Sequence, residues 1–129
     1  MNTIILDASA LLAMLKEEPG GVRVASVIAS ARMSAVNFAE VISHFVHNGM
    51  PAAQVDEMLR PLPIAITPAD ADLARRAGRL RSVTADAGLS LGDRFCLALA
   101  ARDGLPAWTA DKQWQRIADK IDGEIITIR

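Results

Sequence analysis

The chain has 129 residues, enough for one domain with a buried core and too few for two. Hydrophobic residues make up 51% and charged residues 22%, with six prolines and eight glycines, a balance that offsets ordering entropy and excludes disorder as the main state. With 14 Lys and Arg against 15 Asp and Glu, the formal net charge of −1 excludes a general basic surface as the means of holding nucleic acid, so any such ligand needs a locally placed cation.

No apolar run approaches the roughly 18–20 residues needed to cross a bilayer. The start Met1-Asn2-Thr3 lacks the basic region and cleavage site of a secretory signal, so the expectation is a soluble, cytoplasmic protein without a membrane segment. The single cysteine, Cys96, excludes an internal disulfide and a cysteine-based zinc cluster.

Short β-branched runs alternate with helix-like stretches along the chain. Thr3-Ile4-Ile5-Leu6, Ile64-Ala65-Ile66 and Ile125-Ile126-Thr127-Ile128 suit strands buried on both faces of a parallel sheet. Arg32 to Ala35 and Pro106 to Thr109 are weaker candidates and bring the number to about five. Leu11, Leu12 and Leu15 share a helical face, and Val22, Val24, Val27 and Ile28 follow the break at Pro19-Gly20-Gly21. Val36 to Asn48 reads as a helix stopped by Gly49, with Pro51 tolerated at the start of the next. Pro68 to about Val83 reads as one amphipathic helix, and Leu91 to Arg102 as another that stops at Asp103-Gly104. The alternation predicts a single α/β domain whose parallel sheet carries helices on both faces. Ligands of such sheets bind beyond the carboxyl ends of the strands.

Four carboxylates stand at such places. Asp7 closes the first strand, Asp111 follows the penultimate one, and Glu40 and Asp93 lie early in helices. Each has an ordinary explanation. Asp7 and Asp111 suit N-caps, while Asn37 to Glu40 and Ser90 to Asp93 have capping-box spacing, as do Thr67 and Asp70. Taken together, however, Asp7 and Asp111 converge if their strands are neighbours. Two ionised carboxylates about 5 Å apart repel by roughly 3 kcal/mol at an effective dielectric of 20. A gathered set therefore needs raised pKa values or a bound divalent cation, and oxygen-only ligands suit Mg²⁺ or Mn²⁺ better than zinc. Such an ion also supplies the local cation that draws a phosphodiester to this chain.

At these residues the sequence resembles the PIN domain, in particular the small VapC-type toxins of bacterial toxin–antitoxin pairs. The resemblance covers essentially the whole chain, 1–129. It is carried by Asp7 with Ser9, by Asn37-x-x-Glu40, by Asp93-Arg94 at the head of a late helix, and by Thr109-x-Asp111 with an aromatic, Trp114, three residues on. It implies a single PIN domain with a five-stranded parallel sheet in the order 3-2-1-4-5, which sets the strands ending in Asp7 and Asp111 side by side. It also implies a metal-dependent endoribonuclease in which Asp7, Glu40, Asp93 and Asp111 hold one or two Mg²⁺ or Mn²⁺ ions, directly or through water. Ser9 and Thr109 would orient the acids, and Arg94 or Lys112 would contact a phosphate if not simply solvated. The implied partners are an RNA substrate, a cognate antitoxin and a second copy of the chain. The lack of a further domain favours a free-standing toxin.

Other residues read more plainly. His44 and His47 follow Glu40 at helical spacing but fall short of a zinc ligand set. Trp108, Trp114 and Cys96 suit packing, and Arg75, Arg76, Arg79 and Arg81 a solvated helix face. Leu12, Leu15 and Val24 suit either the core or a groove for an antitoxin segment. The competing readings are a receiver-like phosphoryl-accepting domain, for which Asp7 lacks an acidic neighbour and Ile66 runs into Thr67-Pro68, and an inactive PIN-fold binding module.

Overall fold

The computed structural model describes residues 3–129, so Met1 and Asn2, on which the reading of the chain's start rests, lie outside the described residues. Five strands form, β1 (Ile4–Leu6), β2 (Ala31–Ser34), β3 (Ala65–Thr67), β4 (Ala107–Thr109) and β5 (Ile125–Thr127). They make one all-parallel sheet in the order β3-β2-β1-β4-β5, as the sequence resemblance implies. Strand β1 is central, with Ile5 paired to Arg32 on one side and to Ala107 on the other.

Alternation along β1 explains its unbroken apolar run. Ile4 and Leu6 point to a core that includes Leu11, Met33, Val41 and Val55, while Ile5 points to a second core with Leu73, Phe95, Leu99 and Trp114. The first core is built from helices α1 (Ala8–Leu15), α2 (Gly21–Ala25), α3 (Ala35–His47) and α4 (Ala52–Leu59). The second is built from α5 (Ala71–Arg79) and α7 (Leu91–Asp103), with the short α6 (Arg81–Thr84) beside them. Each fully buried Leu or Ile stabilises the fold by roughly 1.5–3 kcal/mol relative to exposure. No helix among the described residues is long and apolar enough to cross a membrane.

The structure departs from the expected elements in physically legible ways. The stretch from Pro68 to Val83 is two helices, because the Leu80 carbonyl accepts from the amides of Val83 and Thr84 and from the Thr84 hydroxyl, tightening the turn there. Its N-cap is Asp70, whose side chain accepts from the Leu73 amide at 2.9 Å, rather than Thr67, which belongs to β3. The helix of α3 is likewise capped by Ser34, one turn before Asn37. Helix α2 ends at Ala25 and gives way to a 3₁₀ turn at Ile28–Ser30, so Val24 is buried while Val22 is 87% exposed. Val24 is thus core, whereas Leu12 and Leu15 are half-buried. Strand β3 is an edge strand with Ile66 37% exposed, not a strand covered on both faces. Residues Lys112–Lys120 wind as 3₁₀ structure whose three-residue repeat buries Trp114 and Ile117 against the second core.

Candidate active site at the carboxyl edge of the sheet

Because β1 and β4 are neighbours, with Leu6 paired to Trp108, the residues that follow them emerge together. Asp7, Ser9, Glu40, Asp93 and Asp111 line one cleft of about 290 Å³, joined by Ala8, Leu12 and His44. All four acids of the sequence reading are therefore brought to one place. Each comes from a different element or junction: Asp7 between β1 and α1, Glu40 on α3, Asp93 in the first turn of α7, and Asp111 after β4.

Asp7 sits deepest, only 3% exposed. One oxygen, Oδ1, accepts from the Ala10 amide at 2.8 Å, and Oδ2 accepts from the Thr109 hydroxyl at 2.6 Å. The Ser9 hydroxyl lies 2.8 and 2.9 Å from the two oxygens and donates to this carboxylate while accepting from the Ala110 amide at 2.9 Å. Thr109 in turn accepts from the Asp111 amide at 3.0 Å, so one hydroxyl ties together the two acids at the strand ends. Burial pushes the Asp7 carboxyl up to about 7, against these hydrogen bonds, and the charge on Asp93 adds to the rise.

The outer three acids share a pattern. Each uses one oxygen to fix itself: Asp93 Oδ2 accepts from the Ser90 amide at 2.9 Å, Asp111 Oδ1 from the Gln113 amide at 2.9 Å, and Glu40 Oε1 from the Asn37 side-chain amide at 2.8 Å. The second oxygen of each has no hydrogen-bond partner among the described residues. Helix capping and presentation to the cleft are therefore performed by the same side chains rather than by rival ones. Burial raises the Glu40 and Asp93 carboxyls above their ordinary values; Asp93's charge adds to the rise of Glu40, and Asp111's to that of Asp93. The buried Cys96 thiol is pushed well up by burial and by Asp7, Asp93 and Glu40, which makes it inert.

Among the described residues none of the four acids is ion-paired. Nor do any three acidic, His or Cys side chains close on one point as an all-protein metal cage does. An open set of unpaired carboxylate oxygens fits a hydrated hard cation, since Mg²⁺ keeps several waters and takes only one or two carboxylates directly. The two basic residues adjoining the acids stand elsewhere. Arg94 is 8% exposed and donates to the Ala77 carbonyl of α5 at 3.4 Å, so its guanidinium is directed into the helix packing and not into the cleft. Lys112 is exposed and does not line the cleft.

Three residues make contacts at the site that are not apparent from the sequence, although Asn37 and Trp114 stand in the motifs that carry the resemblance. Asn37, read as a cap, is fully buried and bridges Glu40 and the Gly92 carbonyl through its side-chain amide while accepting from the Ser34 hydroxyl at 2.8 Å. Gly92 lies against the Glu40 carboxylate with no room for a side chain. Trp114 is fully buried, as a packing role predicts, yet its indole N–H has no hydrogen-bond partner and lies near enough to Asp93 to favour the charged carboxylate. The usable signals are the Asn37 to Glu40 spacing and the aromatic three residues after Asp111. Trp108 is half-buried beneath the Arg23 guanidinium, 5.0 Å from the ring centre. Arg75, Arg76, Arg79 and Arg81 are all exposed, with Arg76 paired to Asp72.

Comparison with known proteins agrees with the fold. Residues 4–120 match the family model of the PIN domain. No curated protein matches the sequence. Among solved structures, the chain is similar to VapBC-5 of Mycobacterium tuberculosis, a member of the VapBC family of toxin–antitoxin systems, with 26% identity over 97% of this chain and 98% of that one and a TM-score of 0.67. It is similar to a toxin–antitoxin complex from Klebsiella pneumoniae, with 18% identity over 98% of both chains and a TM-score of 0.74. It is also similar to VapC20 of Mycobacterium tuberculosis, described as a sarcin–ricin loop cleaving toxin, with 16% identity over 88% of this chain and 94% of that one and a TM-score of 0.70. The family match takes in all four acids and four of the five strands, and the chain belongs to the PIN domain family.

Proposed function

We propose that the protein is a metal-dependent endoribonuclease and the toxin of a toxin–antitoxin pair, working in the cytoplasm as a homodimer and restrained by a cognate antitoxin. The observation that carries the catalytic reading is the cleft itself, where four carboxylates without ion-pair partners meet and the deepest is held by a full set of donors. The partner assignment rests on the toxin–antitoxin complexes that the chain resembles in fold, and the RNA substrate on the loop-cleaving toxin among them. A receiver-like domain is disfavoured by the PIN match and by the absence of an acceptor Asp after β3, where Thr67 is followed by Pro68.

Asp7, Glu40, Asp93 and Asp111 would hold one or two Mg²⁺ or Mn²⁺ ions. When bound, a divalent ion supplies polarisation of the phosphate and a water acidified enough to attack it. The chain's own residues set the geometry. Ser9 and Thr109 fix the rotamer of Asp7 and favour its ionised form, Asn37 holds Glu40, and the Ser90 capping box holds Asp93.

The test is cleavage of a labelled single-stranded RNA by purified protein. Cleavage is expected with Mn²⁺ or Mg²⁺, is abolished by EDTA, and falls by at least about 100-fold in Asp93→Asn, the upper end of what even loss of an outer-sphere partner costs. A second readout avoids catalysis. Because Trp114 is packed beside Asp93, titration with Mn²⁺ is expected to quench its fluorescence saturably in the parent and not in Asp93→Asn. Cleavage that persists in EDTA, or quenching equal in both proteins, would overturn the assignment.

A further inference from the structure

The acidic cleft does not end at Glu40. Val36, Ala39, Glu40, Ser43, His44 and His47 recur every three or four residues along α3 and so share one face of the helix. They line a groove of about 570 Å³. Glu40 and His44 line both this groove and the cleft, which makes the two contiguous. Among the described residues that line the two cavities, His44 and His47 are the only ones with a nitrogen-bearing side chain. Neither imidazole forms a hydrogen bond or an ion pair among the described residues, and His44 is braced edge-on by Phe45, with ring centres 5.3 Å apart.

We propose that this groove seats the stretch of single-stranded RNA adjoining the phosphodiester that is cut, with His44 and His47 as its polar and stacking contacts. The inference rests on the nuclease reading of the cleft and adds the path of the strand. A nucleic acid bound across four carboxylates needs its adjoining phosphates led away from negative charge, and the groove offers donors in place of acids as it leaves Glu40. Ser43 hydroxyl and imidazole N–H groups suit phosphate and base-edge oxygens. Histidine rings stack on unpaired bases, which is how single-stranded RNA is commonly gripped. The methyl groups of Val36 and Ala39 give an apolar floor, and the volume lies within the roughly 300–1,000 Å³ of small-ligand sites.

The experiment uses a fluorescein-labelled RNA decamer of randomised sequence. In an Asp93→Asn background, where cleavage is suppressed, the His44→Ala/His47→Ala pair is expected to weaken binding by about 10-fold, the loss of roughly one stacked base. In the otherwise native protein the same pair is expected to raise KM by a similar factor with kcat changed less than about 3-fold, while His44→Gln/His47→Gln recovers part of the affinity. Unchanged affinity and KM would overturn the proposal. So would a loss confined to kcat, which would put His44 in the chemistry, or an altered sedimentation coefficient at unchanged RNA affinity, which would make this face a contact between copies of the chain. If the native protein binds the decamer and never cuts it, the nuclease reading fails while the binding arm still judges the groove.

Discussion

Asp7→Asn is expected to abolish RNA cleavage and, in metal-free buffer at pH 8, to raise the melting temperature. The two effects have one origin. The Asp7 carboxyl titrates at about 7 in the folded protein against 3.8 when unperturbed, because burial outweighs four hydrogen-bond contacts. A group whose folded pKa is raised contributes stability that is fully present below the unfolded pKa and is lost as pH rises through the folded one. Metal-free protein should therefore lose stability between about pH 4 and pH 7 and remain less stable above it. At about 1.4 kcal/mol per pKa unit, the loss is on the order of a few kcal/mol. The raised carboxyls of Glu40 and Asp93 act in the same direction. Asp103 acts in the opposite one: its carboxyl is held low by the hydrogen bond from Arg102 and by the nearby Arg32 charge, so its contribution is lost only as pH falls through that lowered value.

Asparagine keeps the acceptor for the Ala10 amide and so keeps the helix cap, while removing the buried charge. Thermal melts of the parent in EDTA should fall across pH 4–7, and those of Asp7→Asn should fall distinctly less over the same window, the remaining slope coming from Glu40 and Asp93. Millimolar Mn²⁺ should restore the parent at pH 8 and leave the variant unmoved. A variant that melts lower than the parent at pH 8 in EDTA would mean that Asp7 serves chiefly as a cap whose charge the fold tolerates.

The same residue shows why the site was partly legible before any coordinates. Asp7 and Asp111 could be placed because parallel sheets collect strand ends on one edge, so a carboxylate closing a short β-branched run has little choice of position. Asp93 could be placed on its helix because its capping box with Ser90 is a local device with a fixed spacing. Asn37 was misread for a related reason. Its spacing to Glu40 is that of a cap, yet the cap is Ser34, and only the fold shows that Asn37 is buried one turn into the helix and reaches across to α7. Gly92 carries no signal, and Trp114 shows only as the aromatic three residues after Asp111, since the roles of both depend on contact with Glu40 and Asp93 from elements distant in sequence. The 3₁₀ run from Lys112 was invisible because neither a 3.6-residue nor a two-residue repeat describes it. Strand β3 is legible as a strand, but its apolar run does not show that its faces stay partly open, because the cover over a strand comes from helices distant in sequence.

Gly92→Ala is expected to leave the fold intact and to lower cleavage by about 10- to 100-fold, the scale on which loss of correct ligand placement acts. On local grounds the change should help. Gly92 occupies the first turn of α7 with an ordinary helical φ, and replacing a helical glycine by alanine stabilises a helix by roughly 1 kcal/mol. The obstacle is tertiary. A Cβ at this position would fall on the Glu40 carboxylate, which lies against the bare backbone there and is held by the side chain of Asn37, itself bonded to the Gly92 carbonyl at 2.9 Å. Glu40 is the partner that must give way, because its arm is long and exposed while α7 is packed along most of its length. Gly78→Ala in α5 is the matched control. It too lies in a helix, but nothing stands within 4 Å of the added carbon, so it should raise stability by up to about 1 kcal/mol and leave cleavage unchanged. Circular dichroism melts alongside Mn²⁺-dependent cleavage separate the outcomes: both variants should melt at or above the parent, with activity lost only in Gly92→Ala. Full activity in Gly92→Ala would remove Glu40 from the catalytic set, whereas a collapse of its melting temperature would show that α7, not the Glu40 side chain, is what moves.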